Sequence, residues 1–479
     1  MDRGGHRVKI FRRFRIVKSR RAFEISATMR WVASLFALGL MMALFHRLTA
    51  AGPLEARATL ALGFLLLAGH LGGDLAKRIR LPRITGFLIV GFAVGPSWLG
   101  FVRADEVEAL RFISQAAVAL IAFAAGTELR LEALRRDRVA LFRMSLGAIV
   151  VPFFIIALVV LSVSPWFPLT VHQSFGDAVA VALVLGVVAA ASSPAVTMAL
   201  MDELNARGPF ARAILGVTVA KDVAVIVLFT VVLAVGQPLA SAGALNVDVA
   251  WTTLVHLGAS LATGALLGLI VAQYLKVVER DTPLFLVALA FITAELAELF
   301  GLETMLIALA AGFYIENFSR VEGERMVAAL KRGALPVYVV FFALAGAGLH
   351  LEALGRLWPW VLLIVGLRAM ALRYAGRWAG RSPAVTPALA QYGWLGLISQ
   401  AGVTLGLATV ARQAFPEWGV SLEALIVSMI AVHEVAGPIC FRRALVRAGE
   451  VTESQDVADQ AVEQPVAGGV AVPAPRGGV

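Results

Sequence analysis

Two adjacent charged residues, Lys221 and Asp222, interrupt the apolar run "GVTVAKDVAVIVLF" at 216–229. At the centre of a bilayer each such charge costs about 2.5–3.5 kcal/mol on the more lenient insertion scale. Neighbouring residues of a helix point about 100° apart, so these two side chains cannot both face one neighbouring helix squarely. At least one of them needs a partner elsewhere, and an intramembrane acid is by default a candidate for function.

Three further ionisable residues, Arg368, His433 and Glu434, also fall near the middle of apolar segments. One interpretation is a buried ion-pair knot of Asp222, Lys221 and Arg368 that only holds a bundle together. Such a knot adds little net stability compared with apolar packing, so stability alone is a poor reason to keep it. His433 fits either a plain hydrogen bond between helices or a source of pH sensitivity. The motif "HEVAG" at 433–437 begins like a zinc-protease motif but lacks its second histidine, so no resident metal site is predicted.

Two polar interruptions occur at the centres of other apolar segments, "AASSPAV" at 190–196 and "ISQAGVTLG" at 398–406. Proline removes a backbone donor and glycine relaxes the backbone, so Pro194 and Gly402 predict helix breaks. Irregular backbone at membrane depth is tolerated only where it is buried or lines a cavity. A pair of interrupted helices in the two halves of a transporter is the best sequence pointer to a midplane substrate site.

A carboxylate held between two such breaks can bind a small cation through oxygen atoms, with hydroxyls and freed carbonyls completing the shell. The same carboxylate can take a proton instead. One acid with two mutually exclusive occupants is sufficient for exchange.

The composition predicts where these residues lie. Hydrophobic residues make up 59% and charged residues 15% of the 479-residue chain. Soluble domains carry about 45–50% apolar and about 25% charged residues, so the chain is predicted to be an all-α polytopic membrane protein. The single cysteine, Cys440, excludes an intrachain disulfide framework and a cysteine-rich metal site.

Fourteen apolar segments are long enough to span, the first at 31–47 and the last at 421–441. With the N-terminus inside, the inner connections hold most of the lysines and arginines. The outer connections hold only Arg47, Arg57, Arg103, Arg356 and Arg412. This asymmetry follows the positive-inside rule and predicts about 14 transmembrane helices with both termini in the cytoplasm.

The two ends of the chain differ from its centre. Residues 1–30 carry ten lysines and arginines, which predicts a basic cytoplasmic tail on anionic lipid. Residues 31–52 predict an extra transmembrane helix, although the small residues of "LTAAG" at 48–52 also suit a signal-peptide cleavage site. Residues 53–447 form the predicted transmembrane domain, and 448–479 predict a disordered cytoplasmic tail.

These motifs together resemble the monovalent cation/proton antiporter superfamily, specifically the bacterial sodium/proton and Kef-type potassium/proton exchangers. The resemblance covers nearly all of residues 58–449. It rests on "LPRITGFLIVGFAVGPSWLG" (81–100), "AVALIAFAAGTELRLEALRR" (117–136), "SSPAVTMALMDELNARGPFARAILGVTVAKDVAVI" (192–226), "SQAGVTLGLA" (399–408) and "HEVAGPICFRRALVRAGE" (433–450). It implies an inverted-repeat antiporter fold with two broken crossing helices, in a homodimer whose protomers have a dimerisation part and a moving core.

The resemblance also implies roles for individual residues. Asp222 matches the ion-binding aspartate, and Arg368 matches a basic residue that neutralises the site or competes with the cation. Residues that match the two unwound segments are Ser192, Ser193, Pro194 and Thr197 in the first and Gln400, Gly402 and Thr404 in the second. Glu434 matches the final span, where a structural partner is expected, and Glu128, near a helix end, is a further secondary candidate.

Lys221 departs from the family pattern, which has an acid or an amide at this position. Protonated, it cannot ligate a cation. Three alternatives stay open: Lys221 is desolvated enough to titrate, it faces away and pairs elsewhere, or its ammonium occupies the cation position when the site is empty.

The sequence therefore predicts a secondary antiporter of a bacterial inner membrane that exchanges sodium or potassium for protons, with no cofactor and no covalent catalysis. One alternative is a proton-coupled carrier of anions or organic solutes that uses Lys221 and Arg368. Another is a non-transporting membrane sensor with a locked Lys–Asp pair.

Overall fold

The computed structural model describes residues 33–45, 47–49, 52–241, 247–277, 282–319, 323–349, 352–415 and 417–451, and these ranges contain helices but no strand. The helices are α1 (Ala33–Thr49), α2 (Leu54–Arg78), α3 (Arg83–Val94), α4 (Ala104–Ala109), α5 (Arg111–Glu128), α6 (Leu131–Arg136), α7 (Arg138–Ser162), α8 (Phe175–Ala190), α9 (Pro194–Glu203), α10 (Pro209–Ser241), α11 (Val247–Val277), α12 (Thr282–Phe300), α13 (Thr304–Phe318), α14 (Gly323–Ala347), α15 (Glu352–Ala379), α16 (Pro387–Gly396), α17 (Gly402–Ala414) and α18 (Gly419–Arg447).

Within the described ranges, seven helical stretches are long and apolar enough to cross a membrane, and the all-α polytopic class is confirmed. They are Leu54–Arg78, Arg138–Ser162, Phe175–Glu203, Pro209–Ala240, Leu254–Tyr274, Leu357–Ala379 and Gly419–Arg447. Four shorter apolar helices accompany them, at Ala33–Thr49, Arg83–Val94, Thr304–Phe318 and Leu335–Ala347. The total of fourteen spans stays a prediction.

The predicted terminal segments lie mostly outside the described residues. The basic tail at 1–30 and residues 452–479 of the predicted C-terminal tail are not among them. Of the predicted extra helix at 31–52, residues 33–45 and 47–49 are described and belong to α1.

The helices sort into two bundles by their packing partners. The scaffold bundle consists of α2, α3, α5 and α11 to α14, and the core bundle consists of α7 to α10 and α15 to α18. The bundles meet mainly where α10 packs on α11, α5 on α9, and α18 on α3. Small residues allow close packing inside the scaffold: a Cβ added to Gly126 of α5 would lie 2.2 Å from the Leu309 carbonyl oxygen of α13.

The core bundle repeats one pattern twice, a helix followed by a broken helix and another helix. The first repeat is α7, α8–α9 and α10, and the second is α15, α16–α17 and α18. We call the end of the molecule at the start of α10 the Arg207 end, and the opposite end the Asp177 end.

The two broken helices run in opposite directions. The Asp177 end holds the start of α8 and the end of α17, because the indole nitrogen of Trp418 donates to Asp177 at 3.0 Å. At the other end, the guanidinium of Arg447 stacks over the ring of Tyr392 in α16. The inverted repeat with two broken helices is thus present, as the resemblance implied.

Close packing at Gly126 gives a direct test of the scaffold. Gly126→Ala places a methyl group against a backbone carbonyl that cannot rotate away, so we expect a loss of about 1–3 kcal/mol of stability. Gly63→Ala in α2 meets nothing within 4 Å and should be neutral or slightly stabilising, because alanine is the better helix former. Thermal unfolding of both variants in detergent measures the difference, and equal midpoints would contradict the packing described.

Candidate functional site

The first helix break lies at residues 191–193, between α8 and α9. Pro194 occupies the first position of α9, where its missing N–H is tolerated, and it holds Ser193 in an extended conformation. The Ser193 hydroxyl then accepts a hydrogen bond from the Val196 N–H at 3.3 Å. The chain therefore leaves one half-helix and caps the next within three residues.

The second break lies at residues 397–401, between α16 and α17, and it crosses the first. The Ser193 N–H donates to the Ser399 carbonyl at 2.9 Å, so the two unwound segments are joined backbone to backbone. On the far side, α18 approaches closely at Gly437, where an added Cβ would lie 2.0 Å from the Ser399 hydroxyl. Gly402 begins α17, and Thr404 is buried in its first turn.

Arg368 of α15 ties the two breaks together through their carbonyl groups. The side chain is fully buried, and its Nε donates to Ala189 at 2.9 Å. Nη1 donates to Ile398 at 2.7 Å, and Nη2 donates to Ala191 at 2.6 Å and to Leu397 at 2.9 Å. These carbonyls end α8 and α16, where helix dipoles concentrate negative charge, so a cation belongs there.

Lys221 of α10 is also fully buried, and it faces the first break. Its Nζ donates to the Ser192 hydroxyl at 2.8 Å, and that hydroxyl donates to the Leu397 carbonyl at 2.9 Å. This second link joins α10 to both breaks. Lys221 is thus bonded to Ser192 and not to Asp222. Whether it titrates, or occupies the cation position of an empty site, stays a prediction.

Asp222 has no such partner. It is 1% exposed, and neither carboxylate oxygen has a hydrogen-bond partner among the described residues. The ion-pair knot of Asp222, Lys221 and Arg368 is not formed, because both cations donate to other groups. An unpaired buried carboxylate is costly unless it takes a proton or a cation, so the site is chemically poised for either.

The side chains around Asp222 form an apolar cluster between the bundles. Ile226, one turn further along α10, belongs to one cluster with Leu257 of α11 and Leu306 of α13. Val403 in the first turn of α17 packs against this cluster. This apolar cluster therefore lies where core and scaffold meet, on the side of Asp222 toward the Asp177 end.

Gln400 and Thr197, the other polar residues predicted at the breaks, are buried, whereas Gly402 is exposed. Gln400 donates through Nε2 to the Val188 carbonyl at 2.6 Å, and its Oε1 has no partner in the described chain. The Thr197 hydroxyl donates to the Ser193 carbonyl at 3.0 Å, inside the first turn of α9. Gln400 thus serves the same half-helix end as Arg368 and leaves one acceptor oxygen unoccupied.

Of the three secondary candidates, two lie on α18 near the crossing and one lies at the Arg207 end. His433 and Glu434 are buried on α18, one turn before Gly437, and Oε2 of Glu434 has no hydrogen-bond partner among described groups. Glu128 is ion-paired with Arg207 at the far end of α5. Because Arg207 precedes Asp222 by fifteen residues, about 20 Å along α10, Glu128 is not part of the crossing.

The Arg207 end joins the two bundles through polar contacts. Arg207 bridges Glu128 of the scaffold to Asp202 of the core, the latter at 3.2 Å. Asp202 also accepts a hydrogen bond from the Tyr338 hydroxyl of α14 at 2.6 Å.

Glu203 makes a similar link from the core bundle to the scaffold bundle. Its carboxylate accepts the backbone N–H groups of Arg83 at 2.6 Å and Ile84 at 3.4 Å, and so it caps α3. The core therefore supplies the N-terminal cap of a scaffold helix.

Some partners were not visible in the sequence. The carbonyls of Ala189, Ala191, Leu397 and Ile398 hold Arg368, yet backbone groups carry no residue-type signal. Ser192 was noticed as part of the first break but not as the partner of Lys221. The only available signal was the pair of breaks itself, which frees carbonyls wherever it occurs.

A helical bundle with two crossed broken helices defines a class, the membrane transporters whose site is built from interrupted helices. Within it, the sequence matches the model of the family described as sodium/hydrogen exchanger, transmembrane, over residues 61–442. The chain belongs to this family.

Individual relatives agree with the family. The chain is 31% identical over 175 residues, 35% of its length, to the probable Na(+)/H(+) antiporter GerT of Bacillus cereus. It is 38% identical over 92 residues, 19% of its length, to the Na(+)/H(+)-K(+) antiporter GerN of the same organism. These matches span 42% and 23% of the two relatives.

A solved structure shares the fold. The sodium/proton antiporter MjNhaP1 of Methanocaldococcus jannaschii at pH 8 superposes with a TM-score of 0.59 at 16% identity, over 86% of this chain and 99% of that one. At this identity the likeness concerns the fold alone.

The role of Arg368 can be tested by stability. Arg368→Met removes the guanidinium from four buried carbonyls, of which Leu397 keeps the Ser192 hydroxyl as a donor. Loss of this donor at the other three should cost about 3–5 kcal/mol. Arg111→Met removes an exposed ion pair with Glu298 and should change stability by about 0–1 kcal/mol. Thermal unfolding in detergent compares them, and an Arg368 variant as stable as the Arg111 variant would refute the bridging role.

Proposed function

We propose that this protein is a secondary antiporter that exchanges a monovalent cation, sodium or potassium, for protons, with Asp222 as the shared binding site. Membership of the sodium/hydrogen exchanger family supports the reaction class. The observation that carries the choice of site is the carboxylate of Asp222, which is buried beside two crossed helix breaks with both oxygens unpartnered.

The chemistry follows from the cost of an unpaired buried charge. A carboxylate in this position is stabilised either by a proton or by a cation, and it cannot hold both. Either occupant neutralises the carboxylate, so the core bundle carries the filled site from one face of the membrane to the other. An empty, charged carboxylate would have to be desolvated during this movement, which costs free energy. Because only the filled site crosses, the flux of the cation is coupled to the flux of protons.

Nearby groups complete the site in this proposal. Oxygen atoms for a cation come from Ser193, Thr197 and Thr404, and from Oε1 of Gln400, which lacks a donor. Arg368 stabilises the crossing through the half-helix carbonyls. Lys221 fixes Ser192 and keeps its ammonium directed at the first break.

The two alternative functions are not favoured. A carrier of anions needs cationic groups that are free to bind substrate, whereas Arg368 and Lys221 both donate to groups of the breaks. A sensor locked by a Lys221–Asp222 pair needs a hydrogen bond between the two, and Lys221 donates to Ser192 instead.

The setting is proposed from charge distribution and from the family. Arginines and lysines cluster in the connections at the Arg207 end, so this end faces the cytoplasm of a bacterial inner membrane and the Asp177 end faces outward. The protein acts as a homodimer, with the scaffold bundle as the dimerisation part and the core bundle as the moving part.

Replacement of the shared site tests the proposal. In proteoliposomes with an imposed pH gradient, Asp222→Asn should reduce sodium- or potassium-dependent proton movement to that of protein-free liposomes, because an amide neither titrates nor balances a cation. A pH-sensitive dye in the lumen reports the flux, with sodium, potassium and lithium compared in turn.

The matched control is Asp137→Asn, an exposed aspartate beside Arg136 that should retain parental flux. Undiminished exchange in the Asp222 variant would refute Asp222 as the site. Parental flux that follows chloride or a carboxylate and ignores all three cations would refute cation exchange itself.

A further inference from the structure

Glu303 stands at the Asp177 end of the molecule, in the turn before α13. The opposite end of α13 lies at the Arg207 end, where Glu316 pairs with Arg130 two residues after Glu128. The Glu303 N–H donates to the Ser260 hydroxyl of α11 at 3.1 Å, which fixes the backbone. Its residue surface is exposed, and no described residue forms a hydrogen bond or ion pair with its carboxylate.

Glu303 and Asp222 flank the same apolar cluster. Leu306 lies one turn beyond Glu303 in α13, and Ile226 lies one turn beyond Asp222 in α10; both belong to the cluster with Leu257. Since α10 and α13 run in opposite directions, Glu303 lies outside this cluster and Asp222 inside it. The two acids therefore lie on opposite sides of one small apolar cluster.

Three other acids at the same end have partners. Glu298 binds Arg111 at 2.9 Å, Glu423 binds Arg412 at 3.0 Å, and Asp177 accepts from Trp418. Their charge is satisfied locally, whereas the Glu303 carboxylate has no such partner among the described residues and adjoins, through Leu306, the apolar cluster that separates it from Asp222.

On the basis of the function proposed above, we propose that Glu303 is a second cation-binding residue, which collects the monovalent cation at the outer mouth before it reaches Asp222. A carboxylate beside low-dielectric walls concentrates counter-ions locally. With the cation at Glu303, separation of Ile226, Leu257 and Leu306 opens a path to the buried acid.

The test compares the two faces of the membrane. Glu303→Gln should raise the half-saturating sodium or potassium concentration at the outer face about two- to fifteen-fold. Coulomb's law gives this range for one charge acting on an ion about 10 Å away, at effective dielectric constants of about 80 to 20. The half-saturating concentration at the inner face and the maximal rate should stay parental. Right-side-out and inverted membrane vesicles, at low ionic strength, give the two values.

Three comparisons make this experiment specific. Glu298 lies at the same end and is ion-paired with Arg111, so Glu298→Gln should leave the half-saturating cation concentration unchanged at both faces. Glu303→Asp keeps the charge and should stay near the parent. Added choline chloride should shrink the Glu303→Gln effect, because salt screens exposed charges within about 10 Å at 0.1 M.

A Glu303→Gln variant with the parental half-saturating concentration at the outer face would overturn the role of Glu303. Equal changes of this concentration at both faces would do the same, and either result leaves Asp222 as the exchange site. A parent chain that moves no protons in response to sodium or potassium would instead overturn the exchange function on which the role rests.

Discussion

The crossing of the two broken helices depends on one buried guanidinium. Two half-helices, α8 and α16, end head to head with carbonyl groups that no backbone donor can reach, and their dipoles repel each other. The planar guanidinium of Arg368 donates to carbonyls of both breaks at 2.6–2.9 Å. It therefore satisfies these carbonyls, and its positive charge offsets the repulsion between the two helix ends. Lysine, with a compact ammonium, cannot span the same set.

With the carbonyls satisfied in this way, Asp222 is left without a partner. In an interior of low dielectric constant, an ion pair with Lys221 or Arg368 would bind the Asp222 carboxylate strongly. A carboxylate bound permanently in this way could not exchange a proton for a cation. The two buried cations are instead occupied by Ser192 and by main-chain oxygens. Lys221 and Arg368 keep positive charge in the region of Asp222, which lowers the free-energy cost of its buried carboxylate. A proton or a metal ion that binds Asp222 has no hydrogen bond or ion pair to displace.

Much of the fold follows from the sequence, and the reasons are local. Pro194 and Gly402 begin half-helices because one lacks an N–H and the other relaxes the backbone, and both properties are visible in single residues. The division into scaffold and core was available only through the family resemblance, since apolar periodicity does not say which lipid-facing helices pack together.

The site was predicted less completely than the fold. Asp222 was selected because an acid in an apolar run is conspicuous; the structure shows it buried, and its role as the site stays a proposal. The two helix breaks were predicted from polar residues, proline and glycine in apolar segments, and they are confirmed. The direction of Lys221 was left open, since adjacent helical residues diverge by about 100° and the sequence does not fix the rotation of α10. Arg368 was expected to neutralise the site or compete with the cation, and that role stays a prediction. Its bonds to main-chain oxygens could not be predicted, because every residue has the same carbonyl group.

The cap that Glu203 places on α3 has a mechanical consequence. This acid belongs to the core bundle, yet it holds the first two N–H groups of a scaffold helix. If the core bundle moves as proposed, a displacement that parts the bundles at the Arg207 end removes the cap from α3 and exposes two amides to water. The free-energy difference between the two arrangements would then contain a contribution from the start of α3 that is independent of the transported ion.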